Sequence, residues 1–291
     1  MDFRDPESVV TLSILRVHGR DAAGFLQGQL SNDVQALADG AQQLAGYHTP
    51  QGRVIALLRL ARLGREELLV QLPAELSDAV AQRLRRFVLR AKVTIEVLDA
   101  AAAAAAASAA AAAAAASAAA AAAAALAAPA ASIAGWNATR SRGADIAAGL
   151  PQVYAATSEK FVAQMLNLDC IGAVSFDKGC DTGQEVIARA HYRGRVKRRM
   201  QRFATRAPLA TPLRPGDALR LADARRLEVV DAVLLADGRT EFLAVGPLPG
   251  GAEESPAQPP AATPTAPGST AGDAPPLLDC EALPLPYALP D

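Results

Sequence analysis

The sequence predicts a layered fold in which strands and helices alternate, of the α+β or α/β kind, and three observations carry that prediction. Apolar residues in the first 99 positions switch between a period of two and a period of 3.6. Tight-turn residues punctuate these segments, and the C-terminal third resolves into short strand-like runs divided by Gly and Asp. With 291 residues the chain can bury a sizeable core, as one large domain or two smaller ones.

Taken in order, TLSILRV (Thr11 to Val17) alternates as a strand, and Asp21 is placed to cap a helix through AAGFLQGQL. QLAGYHT and RVIALLRLA read as strands around a turn at Pro50 to Gly52, and ELLVQL as a third. Glu75 to Leu89 is amphipathic, with Leu76, Val80, Leu84, Phe87 and Val88 at helical spacing and Arg83, Arg85, Arg86 and Arg90 mostly outward; KVTIEVL returns as a strand. Ala100 to Ala125 is broken only by Ser108 and Ser117, and the high helix propensity of alanine predicts a surface helix. The tract holds no Leu, Ile or Phe and has no Trp or Tyr near its start, which argues against a membrane span. Further on, TSEKFVAQMLNLDCIG begins like a helix capped by Thr157 or Ser158. DALRL, LEVVDAVLL and EFLAVGPL suggest a small β-barrel or sandwich, Pro249 to Pro276 a flexible insertion, and LLDCEALPLPYALPD a return to the barrel.

A net charge of -1 gives no global attraction to polyanions, so binding of nucleic acid or phosphate must come from local clusters. The acidic start MDFRDPESVV is unlike a secretory signal or transit peptide, which makes the cytoplasm the expected compartment. Cys170, Cys180 and Cys280 form no Cys-x-x-Cys pair and have no nearby histidine set, so neither a disulfide framework nor a metal site is expected. A Walker loop, a dinucleotide fingerprint and a Gly-x-Ser-x-Gly elbow are all missing from the sequence.

Chemistry concentrates between Phe176 and Met200, in FDKGCDTGQEVIARAHYRGRVKRRM. Thr182 and Glu185 have the spacing of a capping box, which would start a helix at Gly183 and set Cys180 just ahead of its positive end, beside Lys178. Those charges favour a reactive thiolate and Asp181 opposes it. The alternative is a Cys180 that is a small buried hydrophobe in a turn, as most free cysteines are; Cys170 is read as packing. Arg189, Arg193, Arg195, Lys197, Arg198, Arg199, Arg202 and Arg206 follow without an intervening acid, interleaved with His191 and Tyr192. That run is either a footprint for phosphate, RNA or a polycarboxylate, or a solvated basic face.

KGCDTGQEVIARAHYRG closely resembles the Lys-Gly-Cys-Tyr-Thr-Gly-Gln-Glu-x-x-x-Arg motif of the YgfZ family of folate-binding proteins, related to the T-protein of the glycine cleavage system. FLQGQLSNDVQAL, TPQGRVIALLRL, VLRAKVTIEV, LNLDCIGAVSFDKGC and the terminal LPLPY extend the resemblance over most of the chain. It implies an α+β fold: a T-protein-like folate-binding body with a small C-terminal β-barrel. The expected division is 1–99 and 133–200 as the body, 100–132 as an alanine-rich segment, and 201–291 as the barrel with its insertion at 249–276. The implied ligand is tetrahydrofolate or a derivative, and the implied role is maintenance of iron-sulfur enzymes, including those that thiolate tRNA.

Residue by residue, the motif maps onto Lys178, Gly179, Cys180, Thr182, Gly183, Gln184, Glu185 and Arg189, with Cys180 tied to function in relatives. Gln27, Gln29, Asn32 and Asp33 fall where the superfamily faces its folate, and join Gln184 and Arg189 as expected folate residues; helix-end capping is the other use for Asn32 and Asp33. Arg193, Arg195 and Lys197 are expected to bind the anionic tail of folate, a protein partner or tRNA. The sequence departs from the family at Asp181, where relatives have an aromatic, and in the alanine-rich and proline-rich segments. T-proteins carry a catalytic aspartate at about Ala56, which disfavours the alternative of an aminomethyltransferase-like one-carbon transfer enzyme; a basic tRNA-binding module is the other alternative.

Overall fold

Period-two alternation in the first strand, β1 (Val9–His18), turns Leu15 and Val17 to one side and Ile14 to the other, so this strand is covered on both faces. The computed structural model describes residues 9–121, 139–194, 196–248 and 275–290. β2 (Gln42–His48), β3 (Val54–Gly64), β4 (Glu67–Pro73) and β5 (Thr94–Val97) complete an antiparallel sheet of order β2-β3-β4-β1-β5, and β6 (Thr139–Ser141) adds to the start of β1. α1 (Ala22–Gln27) follows β1, and α2 (Ala74–Arg85) packs Leu76, Val80 and Leu84 against the Leu15 face. α3 (Ala100–Ala121) lies on the opposite face, with Ala103 and Ala110 buried among Ile14, Ala61 and Leu69. Among the described residues no helix is long and apolar enough to cross a membrane.

α4 (Arg142–Ala147), capped by the Ser141 hydroxyl accepting from the Ala144 amide, joins this sheet to a second one. Asp145 of α4 pairs with the buried Arg59 of β3, and Arg142 reaches Asp231 in the second sheet. That sheet comprises β7 (Arg198–Thr205), β8 (Ala218–Arg220), β9 (Arg226–Leu234), β10 (Thr240–Pro247) and β11 (Cys280–Leu283), antiparallel in the order β11-β7-β10-β9-β8. Met200, Val230, Val233, Leu243 and Val245 pack into the core of the first sheet, while Phe203, Phe242, Leu219 and Leu227 build a second core on the other side.

Several expectations are corrected. Asp21 does not cap α1; its carboxylate accepts from the Lys92 amide instead. α2 stops at Arg85, and Phe87 is half exposed rather than buried. No α-helix begins at Thr157 or Ser158: the Thr157 hydroxyl accepts from the Tyr154 amide in a turn, Ser158 donates to Ile55 O, and only a short 3-10 helix, Ala163–Leu166, follows. Among the described residues the second sheet does not close into a barrel. Its edge strands β8 and β11 have 3 and 4 residues, and a single parallel bridge, Arg220 to Leu277, links one edge to the segment entering the other. Residues 122–132 of the alanine-rich segment and 249–274 of the proline-rich one lie outside the described residues.

Candidate functional site

Two positive-φ glycines set the geometry of the Cys180 turn. Gly52 ends the tight turn after β2 (φ +73) and Gly183 precedes α5 (Gln184–Arg193; φ +85). Each lies against the other: a Cβ on Gly183 would fall 2.6 Å from Thr49 O and 3.1 Å from Gly52 Cα. Only residues without a Cβ allow that approach. Gly183, not Thr182, is therefore the N-cap of α5, and no side chain caps the helix, which corrects the expected capping box. Gln184 Nε2 donates to Lys178 O at 3.4 Å, and Glu185 faces solvent.

Cys180 is exposed on this turn, and Gly179 beside it has open space around its Cα. The two charged neighbours turn inward. The Lys178 ammonium is buried and donates to Gln27 O at 2.6 Å, to Leu30 O, and to Asn32 O at 3.4 Å, with Asp181 Oδ1 at 3.6 Å. Lys178 thus ties the motif to the loop after α1 instead of facing a ligand. Burial pushes the Asp181 carboxyl up to about 6, against the pull of Lys178, and lowers Lys178 in turn. Asp181 Oδ2 is buried without a hydrogen-bond partner and borders a cavity of about 10 Å³, the space of one water, together with Ser31, Ser175 and Gln184. Nearby, His48 is fully buried with both ring nitrogens unpartnered, and burial followed by the Lys178 charge lowers its pKa to about 3.

The N-terminal polar residues are mostly committed to their own backbone. Gln27 Oε1 accepts from the Val34 and Gln35 amides, Asn32 Nδ2 donates to Leu44 O and Gly172 O, and Asp33 Oδ1 accepts from the Gln35 and Ala36 amides. The exception is Gln29, whose Oε1 is buried and unpartnered. Folding does bring this loop and the cysteine motif together, through Lys178.

The basic run divides in two. Arg199, Arg202 and Arg206 meet Asp169, Glu241 and Asp279 at 2.9, 2.5 and 3.2 Å, acids far away in sequence. Arg189 and Arg193 are exposed on α5, Lys197 is exposed ahead of β7, and Arg195 lies outside the described residues.

A larger cavity, about 610 Å³, opens elsewhere and was not foreseen from the sequence. It is lined by Val10, Pro73, Tyr154, Pro215, Arg142 and Arg214, with Glu75 among the other lining residues; none of Gln27, Gln29, Asn32, Asp33 or Gln184 lines it. Behind it, Arg142 Nε donates to Tyr154 Oη at 3.1 Å and to Asp231 Oδ1 at 2.9 Å, and Tyr154 Oη donates to Asp231 Oδ2 at 2.9 Å. Burial pushes the Asp231 carboxyl up to about 6, opposed by Arg142 and Tyr154, and burial together with Asp231 raises the Tyr154 hydroxyl. The register of β9 on β10 shifts at Asp231, and such a bulge re-aims a side chain. The available signal was Asp231 itself, a carboxylate within the apolar run VVDAVLL. Among the described residues no three His, Cys, Asp or Glu side chains are grouped to hold a metal ion.

The fold is that of a glycine-cleavage aminomethyltransferase: the T enzyme of Bartonella henselae superposes with a TM-score of 0.57 at 15% identity, covering 82% of this chain and 77% of that one. No family model matches the sequence. Among curated proteins, the tRNA-modifying protein YgfZ of Edwardsiella ictaluri is 30% identical over 273 residues, 79% of this chain and 81% of that protein. Its Klebsiella pneumoniae counterpart is 30% identical over 279 residues, 81% of this chain and 84% of the relative. The chain belongs to the YgfZ family.

Proposed function

We propose that this is a cytoplasmic folate-binding accessory protein that supports the assembly, repair or activity of iron-sulfur enzymes, among them enzymes that modify tRNA. The observation that carries the reading is the 610 Å³ cavity, which falls within the ~300–1,000 Å³ typical of organic-ligand sites. Its walls suit folate. Tyr154, Val10, Pro73 and Pro215 offer apolar surface to the flat ring systems, and Arg142 and Arg214 offer positive charge to the glutamate carboxylates. Bound tetrahydrofolate would supply a carrier for one-carbon units. The protein's own part is to orient it: Asp231 fixes the Arg142 guanidinium from behind, and Tyr154 stacks below it at 5.0 Å.

Cys180, exposed on its glycine-framed turn, acts in this reading as a redox group or transient ligand toward a client enzyme. Lys178, Gly179, Thr182, Gly183, Gln184 and Glu185 shape that turn. Ala56 is fully buried in β3, which favours an accessory role over one-carbon transfer. The proposed division makes 1–99 and 133–200 the folate-binding body and 201–291 a β unit docked on it that adds Arg214 and Pro215 to the cavity wall.

Calorimetric titration with 5-formyltetrahydrofolate tests the reading. Wild type and Cys180→Ala bind alike, and Arg214→Ala binds at least tenfold more weakly, as expected for loss of a charge-assisted contact of ~1.5–3 kcal/mol. Absence of binding by the wild type would overturn it.

A further inference from the structure

The outer face of α5 combines two features that rarely coincide on a surface serving only solubility. The first is a preformed aromatic cluster. Phe176 stacks on His191 with ring centroids 3.8 Å apart at 15°, and Tyr192 stands edge-on to both, 4.8 Å from His191 and 6.1 Å from Phe176. These contacts hold Tyr192 in place, yet the residue remains 67% exposed. The second is charge. Arg189, Tyr192 and Arg193 fall at helix spacings of three and four and share a face, both arginines exposed, and exposed Arg198 opens β7 just beyond. Two exposed acids lie in the same region, Asp177 next to Phe176 and Glu185 in the first turn of α5, against the exposed Arg189, Arg193 and Arg198.

We propose that this face of α5 binds unpaired RNA, with a base stacked on Tyr192 and phosphates neutralised by Arg189 and Arg193. An ordered, exposed aromatic ring flanked by guanidinium groups is the arrangement that single strands use, because every base offers a π-face and every linkage a charge. A duplex keeps its bases stacked on one another and cannot use Tyr192. The aromatic cluster is fixed before binding, so little side-chain entropy is lost when a base arrives. That the strand is RNA rests on the proposed link to tRNA modification. The surface is distinct from the cavity proposed for folate, since none of its residues lines that cavity.

The test is fluorescence anisotropy with a labelled oligouridine of about twelve nucleotides and with a duplex of equal length. Single strands bind at least tenfold more tightly than the duplex. Tyr192→Ala weakens single-strand binding about tenfold while Tyr192→Phe retains it. Arg189→Ala with Arg193→Ala reduces the salt slope, log K against log salt, by about 1.4. Tyr192 is exposed, so its variants fold; unchanged circular dichroism and unchanged 5-formyltetrahydrofolate binding verify this and separate failure here from failure of the folate reading. No oligouridine binding by the wild type, equal binding of the duplex, or indifference to Tyr192→Ala overturns the proposal, and the first result would leave α5 as a surface for a protein partner.

Discussion

Replacing Lys178 by Met removes a buried cation from three carbonyl acceptors, Gln27 O at 2.6 Å, Leu30 O and Asn32 O at 3.4 Å, and from its ion pair with Asp181 Oδ1 at 3.6 Å. At an effective dielectric of about 20 the attraction to Asp181 alone is about 4–5 kcal/mol. Part of this only offsets the burial of both charges, and removal of one partner from such a pair typically costs about 3–5 kcal/mol. Urea denaturation of Lys178→Met at about pH 7.5, followed by circular dichroism, is expected to show a loss in that range. The double variant Lys178→Met with Asp181→Leu recovers part of it, because no unpaired carboxylate is left; a deficit of about 1–3 kcal/mol persists from the carbonyls that lose their donor. At about pH 5 the single variant loses less, since Asp181, already raised to about 6 with its cation present, is then protonated and needs none. A loss below about 1 kcal/mol at the higher pH, or a double variant no more stable than the single one, would refute the view that Lys178 anchors the motif.

Asp181→Asn isolates the pH dependence of the carboxylate. Its folded pKa is raised from 3.8 to about 6, so its stabilising contribution is complete below about pH 4 and disappears as the pH rises through 6; relative to Asp181→Asn, the wild type loses ~3 kcal/mol across that window in pH-dependent denaturation. His48 acts at the acid end: with its folded pKa lowered from 6.5 to about 3, His48→Phe retains ~3 kcal/mol more of its neutral-pH stability than wild type does on going from about pH 6.5 to pH 4. Gly183→Ala costs at least ~2 kcal/mol in thermal or urea unfolding, from left-handed backbone and the Thr49 O contact, whereas Gly179→Ala, with open space around it, stays within ~0.5 kcal/mol. Iodoacetamide mapping by mass spectrometry finds Cys180 alkylated first, because burial above all pushes Cys170 and Cys280 up to about 11; faster reaction at Cys170 would contradict the exposed-thiol assignment.

Elements whose burial is governed by local periodicity were legible in the sequence. The alternation of TLSILRV and the helical spacing of Leu76, Val80 and Leu84 put those residues in the core, and the turn at Pro50 to Gly52 lies where its residues place it. What the sequence concealed depends on contacts between distant segments. Thr182 and Glu185 have the spacing of a capping box, but the Thr49–Gly52 turn presses on Gly183 and decides where α5 begins. Lys178 reads locally as a charge beside a thiol, whereas its partners are carbonyls about 150 residues earlier, 151 for Gln27 and 148 for Leu30. Arg199, Arg202 and Arg206 look unopposed for the same reason, since Asp169, Glu241 and Asp279 reach them only through tertiary structure. The Arg142–Tyr154–Asp231 network joins three separate segments, and no spacing within any one of them foretells it.

The alanine helix α3 has a consequence for how this sequence can drift. In α2, adding or removing one residue would turn the helix by about 100° and carry Leu76, Val80 or Leu84 out of the core. In α3 the same change brings another methyl group to the place of Ala103 or Ala110 against Ile14, Ala61 and Leu69. A cover built from one repeated side chain is indifferent to register, so this stretch of the gene can lengthen or shorten by single codons while the sheet beneath it keeps the same apolar partner.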